Sequence, residues 1–210
     1  MLLKTKLITH DPLAVFQLLA LSPALIAATT LSRALAVGAA LALSRAFSSL
    51  SVSLLRGTTP AKLRTPTCLL VHSVWVTLIL LLMRTLLPTT VSALGVYLPI
   101  LAVNCMAMLR LEVSAAQNSP GAAISDGILH GVEFLIFMLA CGFIRELFGM
   151  GRLFATPSES GGILVFPAAP LAFLRTPAGA LLLVGLFAAI LQGMNLRMAA
   201  KEENAPKETV

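Results

Sequence analysis

Residues 13–30 read LAVFQLLALSPALIAATT, and residues 91–111 read VSALGVYLPILAVNCMAMLRL. Each is an apolar run long enough to cross a bilayer, since roughly 20 helical residues at about 1.5 Å each span the hydrocarbon core. Each carries a proline near its middle, Pro23 and Pro99. A proline inside a helix donates no backbone hydrogen bond and frees a carbonyl one turn earlier; here those carbonyls belong to Leu19 and Gly95. In lipid a freed carbonyl must find a partner or line a site enclosed by protein. The two prolines therefore read either as simple kinks or as breaks between half-helices that build a site at mid-membrane.

Four further apolar runs accompany these two, at residues 35–55, 68–87, 124–148 and 178–196. The expected fold class is an all-α integral membrane protein with six transmembrane helices. The two proline-bearing runs are its first and fourth helices. Three spans separate them, and an odd number of spans per repeat turns the second copy upside down, as in inverted-repeat transport folds. Repeat one would cover 13–87 and repeat two 91–196, framed by a segment 1–12 and a polar tail 197–210. The first run is longer than a secretory apolar region and lacks a small-residue cleavage site, so it reads as a retained span. Between the fifth and sixth runs, residues 149–177 are rich in Gly, Pro and Ser. The short apolar pieces 163–166 and 171–174 within them suit an interfacial or re-entrant segment.

Composition supports a lipid solvent. Of the 210 residues, 58% are hydrophobic and only 11% charged, against roughly 25% charged in soluble domains. Mean hydropathy is +0.93. The aromatic share is 6%, and no long run alternates apolar with polar, which argues against a β-barrel. The net charge of +6 is spread along the chain with no basic stripe, so it points to cytoplasmic loops and not to nucleic acid. Lys4, Lys6, Arg56, Lys62, Arg64, Arg110, Arg197, Lys201 and Lys207 would share one side of the membrane. Arg33, Arg84, Arg145, Arg152 and Arg175 would share the other. That bias places both termini in the cytoplasm, with the chain a multi-pass protein surrounded by lipid.

Few residues could carry chemistry. Asn104-Cys105 lies one to two turns past Pro99, where a thiol would be dry and beside loosened backbone. A lone membrane cysteine is most often a packing residue, and a metal needs several converging ligands. Cys68, Cys105 and Cys141 show no CxxC spacing, so no disulfide framework is expected. His130 and Glu133 are three apart and share a helix face inside the fifth run, where ionisable groups are costly and often functional. They read as a hydrogen-bonded polar pair or as a proton relay, with Arg45 or Arg84 as partners. Arg110 with Glu112, and Arg145 with Glu146, read as interface markers. Asp126 reads as a cap or first-turn anion at the start of the fifth helix. There is no P-loop and no dinucleotide fingerprint after a strand, so the chain itself should hold neither nucleotide nor flavin.

Three strings narrow the field: LGVYLPILAVNCMAMLRLE at 94–112, SPGAAISDGILHG at 119–131, and IRELFGMGRLF at 144–154. With LLALSPALIAATTLSRALAVG at 18–38, they resemble the E subunits of Rnf electron-transport complexes and the homologous D subunits of the sodium-translocating NADH:quinone reductase (Nqr). The likeness runs from about residue 11 to 192. It implies a six-helix inverted repeat packed against a sister A subunit of opposite orientation. It further implies a [2Fe-2S] cluster at mid-membrane, shared with that sister, each subunit giving one cysteine from its first and one from its fourth helix. Electrons would pass through it between flavin- and iron–sulfur-bearing B, C, D and G subunits, coupled to movement of Na+ or H+. On this view the chain is part of a ferredoxin:NAD+ oxidoreductase, with no activity alone.

The sequence departs from that pattern at two places. Ser22 stands where the family has its first cysteine, while Cys105 is kept. His130 and Glu133 stand where the family has small or apolar residues. The resemblance then implies a cluster held by three cysteines, Cys105 among them, and a weaker fourth ligand at Ser22. Two other readings fit the same residues, a stand-alone inverted-repeat transporter of small solutes and a redox-inactive scaffold subunit.

Overall fold

The computed structural model describes residues 22–103, 111–112, 117–156, 161–166 and 171–203. Seven helices and a small ribbon are described: α1 (Ser22–Ala27), α2 (Leu31–Leu55), α3 (Arg64–Leu86), α4 (Pro88–Leu94), α5 (Tyr97–Ile100), α6 (Pro120–Met150), β1 (Arg152–Leu153), β2 (Ile163–Leu164) and α7 (Pro177–Glu203). Three of them, α2, α3 and α6, are long and apolar enough to cross a membrane; the apolar part of α7 runs from Pro177 to Ile190.

Half of the first expected span, 13–30, lies outside the described residues. The fourth, 91–111, is not one continuous rod in its described part. It is broken into α4, α5 and a 3-10 turn at Leu101–Val103. The break falls at Gly95, whose φ of +52° closes α4 and is open to glycine with little penalty. Pro99 sits inside α5, and Pro23 lies in the first turn of α1, a position that tolerates proline.

The core is built on α2 and α6, which run antiparallel. Ala34 meets Gly142, Ala42 meets Gly131, and Ala46 with Ser49 meets Gly127. Gly127 and Gly131 stand four apart opposite Ala46 and Ala42, so the seam there is a small-xxx-small contact of the kind that lets membrane helices approach closely. A Cβ added at Gly131 would lie 2.9 Å from the Cα of Ala42, so backbone touches backbone there. α3 lies against the other side of α2, also antiparallel. Phe47 stacks on Trp75 at 4.7 Å between ring centres, and the Trp75 indole N–H donates to Ser51 Oγ at 2.9 Å.

The helix ends follow local chemistry. Thr30 caps α2, its hydroxyl accepting from the Arg33 N–H at 3.3 Å. α6 begins with Pro120 in its first turn and ends at Gly151, φ +68°, whose N–H returns to the Leu147 carbonyl. Asp126 is therefore not a cap. The helix starts six residues before it, because Ser119-Pro120 is a stronger start signal. The chain is mostly helical, as expected, with one small addition. Arg152–Leu153 pairs antiparallel with Ile163–Leu164, and Ala172–Arg175 forms a 3-10 turn, so the Gly/Pro-rich stretch folds as a small ribbon and turn.

Candidate functional site: broken segments and a buried polar belt

The two broken segments meet. α1 packs against α5, and Ala24, Leu25, Ala27 and Ala28 share one apolar cluster with Leu94, Leu98 and Leu101. Of the expected ligand positions, Asn104 and Cys105 lie outside the described residues. Ser22 and Pro23 are described only as the helical backbone of α1. Pro99 is exposed on α5. Cys68 and Cys141 are both buried but belong to separate apolar clusters. Among the described residues no three His, Cys, Asp or Glu converge to hold a metal.

The chain turns between α1 and α2 at residues 28–30, and a charged pair from α6 closes that turn. Arg145 and Glu146 are both fully buried. Arg145 Nη1 donates to the carbonyls of Leu25 at 2.5 Å, Ala28 at 2.8 Å and Ile26 at 3.4 Å. Its Nε donates to Leu174 O at 2.9 Å, and Nη2 to Arg175 O at 3.1 Å. Glu146 Oε2 accepts the Leu31 N–H at 2.6 Å, and Oε1 the Ala155 N–H at 2.5 Å. The cation thus meets the carbonyl end of α1 and the anion the amide end of α2, each matching the local backbone dipole. The interface-marker reading of this pair is overturned. A broken helix leaves backbone groups that water would otherwise satisfy, and the guanidinium fork and carboxylate satisfy them inside the protein. Ser32 Oγ adds a bond to the Ala155 carbonyl at 2.5 Å. Ala155 is therefore held on both sides, next to Phe154, whose φ is +59°.

A second polar group lies deeper. Arg33 and Arg56 bracket α2, so its middle falls near Leu43–Arg45 in depth, and the seam puts His130 of α6 at the same level. Arg45 is buried there with Ser44, Ser48 and Ser49. Ser48 Oγ lies 3.1 Å from Nδ1 of His72, a fully buried imidazole on α3. His72 Nε2 has no hydrogen-bond partner among the described residues. An ionisable side chain at the centre of a span costs about 2.5–3.5 kcal/mol on insertion scales and marks function by default. Sequence reading missed His72. Its signal was the i, i+4 pair Ser44 and Ser48 beside Arg45 on one face of α2, the face a histidine of the next span could meet.

His130 and Glu133 form the expected pair, Nδ1 to Oε2 at 2.8 Å, and Asp126 Oδ1 joins at 3.3 Å from Nε2. Of the expected basic partners, Arg45 is buried on α2, and Arg84 is exposed near the end of α3, beside an open groove lined by Pro88, Gly95 and Pro99.

Comparison with known proteins agrees with this architecture. Residues 1–188 match the family described as "Rnf-Nqr subunit, membrane protein". The chain is similar to the E subunit of the ion-translocating oxidoreductase complex of Pseudoalteromonas atlantica, 32% identical over 90% of this chain and 87% of the relative. The protein of the same name from Shewanella amazonensis is 35% identical over 66% of this chain and 60% of the relative. That of Vibrio vulnificus is 29% identical across 100% of this chain and 94% of the relative. With a family match over nearly its whole length, the chain belongs to the Rnf-Nqr family of membrane subunits.

Proposed function

We propose that this chain is the E-type membrane subunit of an Rnf ion-translocating ferredoxin:NAD+ oxidoreductase, packed against a sister A subunit and coupling electron transfer to Na+ or H+ movement. The observation that carries the reading is the family match over residues 1–188, with relatives named as subunits of such a complex. The inverted repeat has its own support in the packing. A two-fold that exchanges three-span halves would pair the second span with the fifth, as α2 pairs with α6, and the first with the fourth, as α1 pairs with α5. It would also set the first span against the sixth where the fourth meets the third. α1 contacts α7, and α4 and α5 contact α3. The charge distribution supports the orientation, with Arg56, Lys62 and Arg64 at one end of the helix bundle and Arg33, Arg152 and Arg175 at the other. Arg145, being buried, leaves that tally.

The described residues do not by themselves supply a ligand set for an iron–sulfur centre. Cys68 and Cys141 are packed apart, so Cys105 is the thiol this chain has left to offer, with Ser22 as the weaker candidate. The remaining thiolates would come from the sister subunit. Clusters of this type are held by thiolates, usually four, and carry single electrons. The chain's own part is structural and electrostatic. Arg145 and Glu146 fix the turn after α1, and α4, α5 and the Gly95 break shape the segment that leads to Cys105.

Purifying the tagged full-length chain from its native membranes tests the reading. Flavin- and iron–sulfur-bearing subunits are expected to come with it, and Cys105→Ala is expected to abolish a [2Fe-2S] EPR signal in the purified complex. A signal unchanged by that substitution overturns ligation by Cys105. A complex with no such signal in its wild-type form makes the chain a scaffold. A chain recovered alone and moving small solutes overturns the subunit role.

A further inference from the structure

The turn between α2 and α3 carries three cations within nine residues, Arg56, Lys62 and Arg64. The two helices run antiparallel, so Arg56 past the end of α2 and Arg64 at the start of α3 come together and line one cleft with Val52, Thr59, Thr67 and Cys68. Arg56 and Lys62 are exposed, and Arg64 is half-buried. None of the three is in an ion pair among the described residues. Arg56 Nη1 donates one long bond, to the Gln117 carbonyl at 3.3 Å. The buried Nε of Arg64 has no hydrogen-bond partner among the described residues. The carboxylate nearby is Glu112, which accepts from Thr65 Oγ1 at 2.9 Å and balances one charge of the three. The first turn of α3 adds no acid, and Leu63 at its N-cap supplies no side-chain bond, so the positive end of that helix dipole adds to the excess.

The excess lies at a definite depth. Twenty residues separate Arg64 from Arg84 on α3, about 30 Å at about 1.5 Å each, which is the thickness of the hydrocarbon core. Arg64 is therefore level with lipid phosphates. Close beside it the chain turns apolar side chains outward, with Leu54, Leu63 and Leu70 at 66%, 54% and 65% exposure. Leu63 and Leu70, seven apart, share one side of α3. We infer that this corner of the bundle binds the phosphate of an anionic phospholipid, held between Arg56 and Arg64 with Lys62 beside it, while the acyl chains lie along the exposed leucines. Basic pockets between membrane helices take such head groups. The enclosed part of the cleft is about 10 Å³, room for about one water, so the phosphate sits at the mouth and meets Arg64 directly or through that water. Two forked guanidinium groups suit the oxygens of a phosphate. A free phosphate ion uses the cations but not the leucines, and a choline head group brings a cation of its own against them. The inference is independent of the redox reading of the chain and rests on its place in a membrane.

The test uses the full-length chain, with whatever subunits accompany it, purified from native membranes and placed in phosphatidylcholine nanodiscs. The probe is phosphatidylglycerol with a photoactivatable diazirine in one acyl chain, and labelled peptides are mapped. Label is expected to concentrate in residues 54–70, more than about fivefold above that from phosphatidylcholine carrying the same diazirine. It should fall more than about tenfold when Arg56→Gln and Arg64→Gln are combined, and less than about threefold when both become Lys, which keeps the charge. Arg84→Gln, at the far end of α3, should leave it unchanged. Equal labelling by the two lipids means ordinary lipid contact and overturns the inference, and so does label undiminished in the double Gln variant. Label removed by excess inorganic phosphate makes this a site for a free anion and overturns it too. A benzoylphenylalanine at Leu70 that crosslinks to another protein, and not to lipid, shows the corner covered by a partner, with the same result. Should the double Gln variant fail to insert, the comparison of the two lipids on the wild-type chain still decides.

Discussion

At the first broken segment, the turn between α1 and α2 presents carbonyls at one helix end and an amide at the next, and a buried cation and anion from α6 take them up. At the second, between α4 and the 3-10 turn at Leu101–Val103, the chain turns on a glycine at positive φ and buries only Leu94, Leu98 and Leu101, while Val96, Tyr97 and Ile100 remain exposed. One break is closed by charge-assisted hydrogen bonds, which are directional and costly to lose. The other is closed mainly by apolar contact, with the buried His72 ring of α3 beside the Leu101 backbone. The contrast assigns stiffness to the segment that carries Ser22 and compliance to the one that leads to Cys105, so local opening should concentrate in the second.

The largest expected effect comes from the stiff side. Arg145→Leu leaves five carbonyls without their donor and Glu146 uncompensated, and should cost about 3–5 kcal/mol, as for breaking a buried charged pair. Thermal unfolding in detergent would read it, and a variant as stable as wild type would remove the basis of the contrast. Arg145→Lys should recover only part, since an ammonium cannot reproduce the planar fork. Next comes Gly131→Leu, which forces side-chain atoms into the backbone of Ala42 and should cost the upper part of about 1–3 kcal/mol. Because the seam supports both halves, hydrogen exchange should rise at both broken segments alike, and a one-sided response would mean that the halves are uncoupled. Glu146→Gln keeps one acceptor and should lie near the lower end of about 1–3 kcal/mol, with faster exchange at Leu31 and Ala155. The smallest effect is expected at Gly95→Ala, about 1 kcal/mol for a side chain at positive φ. Its exchange signature should be confined to residues 91–103, and equal loosening at 24–31 would erase the distinction.

The long spans were legible from hydrophobic runs. The expected 35–55, 68–87 and 124–148 became Leu31–Leu55, Arg64–Leu86 and Pro120–Met150, each beginning about four residues early. Helices start in polar or capping residues such as Thr30 and Ser119, which a hydropathy window discards. The pairing of His130 with Glu133 was legible because both lie on one helix. What stayed hidden needed contacts between distant segments. Arg145-Glu146 looks like any charged helix end until the turn at 28–30 supplies backbone groups for it. His72 reads as an incidental polar residue until α3 lies beside Ser48. The break at Gly95 was masked by Pro99, the stronger sequence signal but the one that fits within a short helix.

The glycine seam also acts as a partition. Where Gly127, Gly131 and Gly142 meet α2, not even a methyl group fits without displacing its neighbour, so neither water nor a bare cation can thread between the two central helices. The seam thereby keeps two polar groups of the chain apart, His72 with Ser48 on the α3 side and His130 with Glu133 on α6.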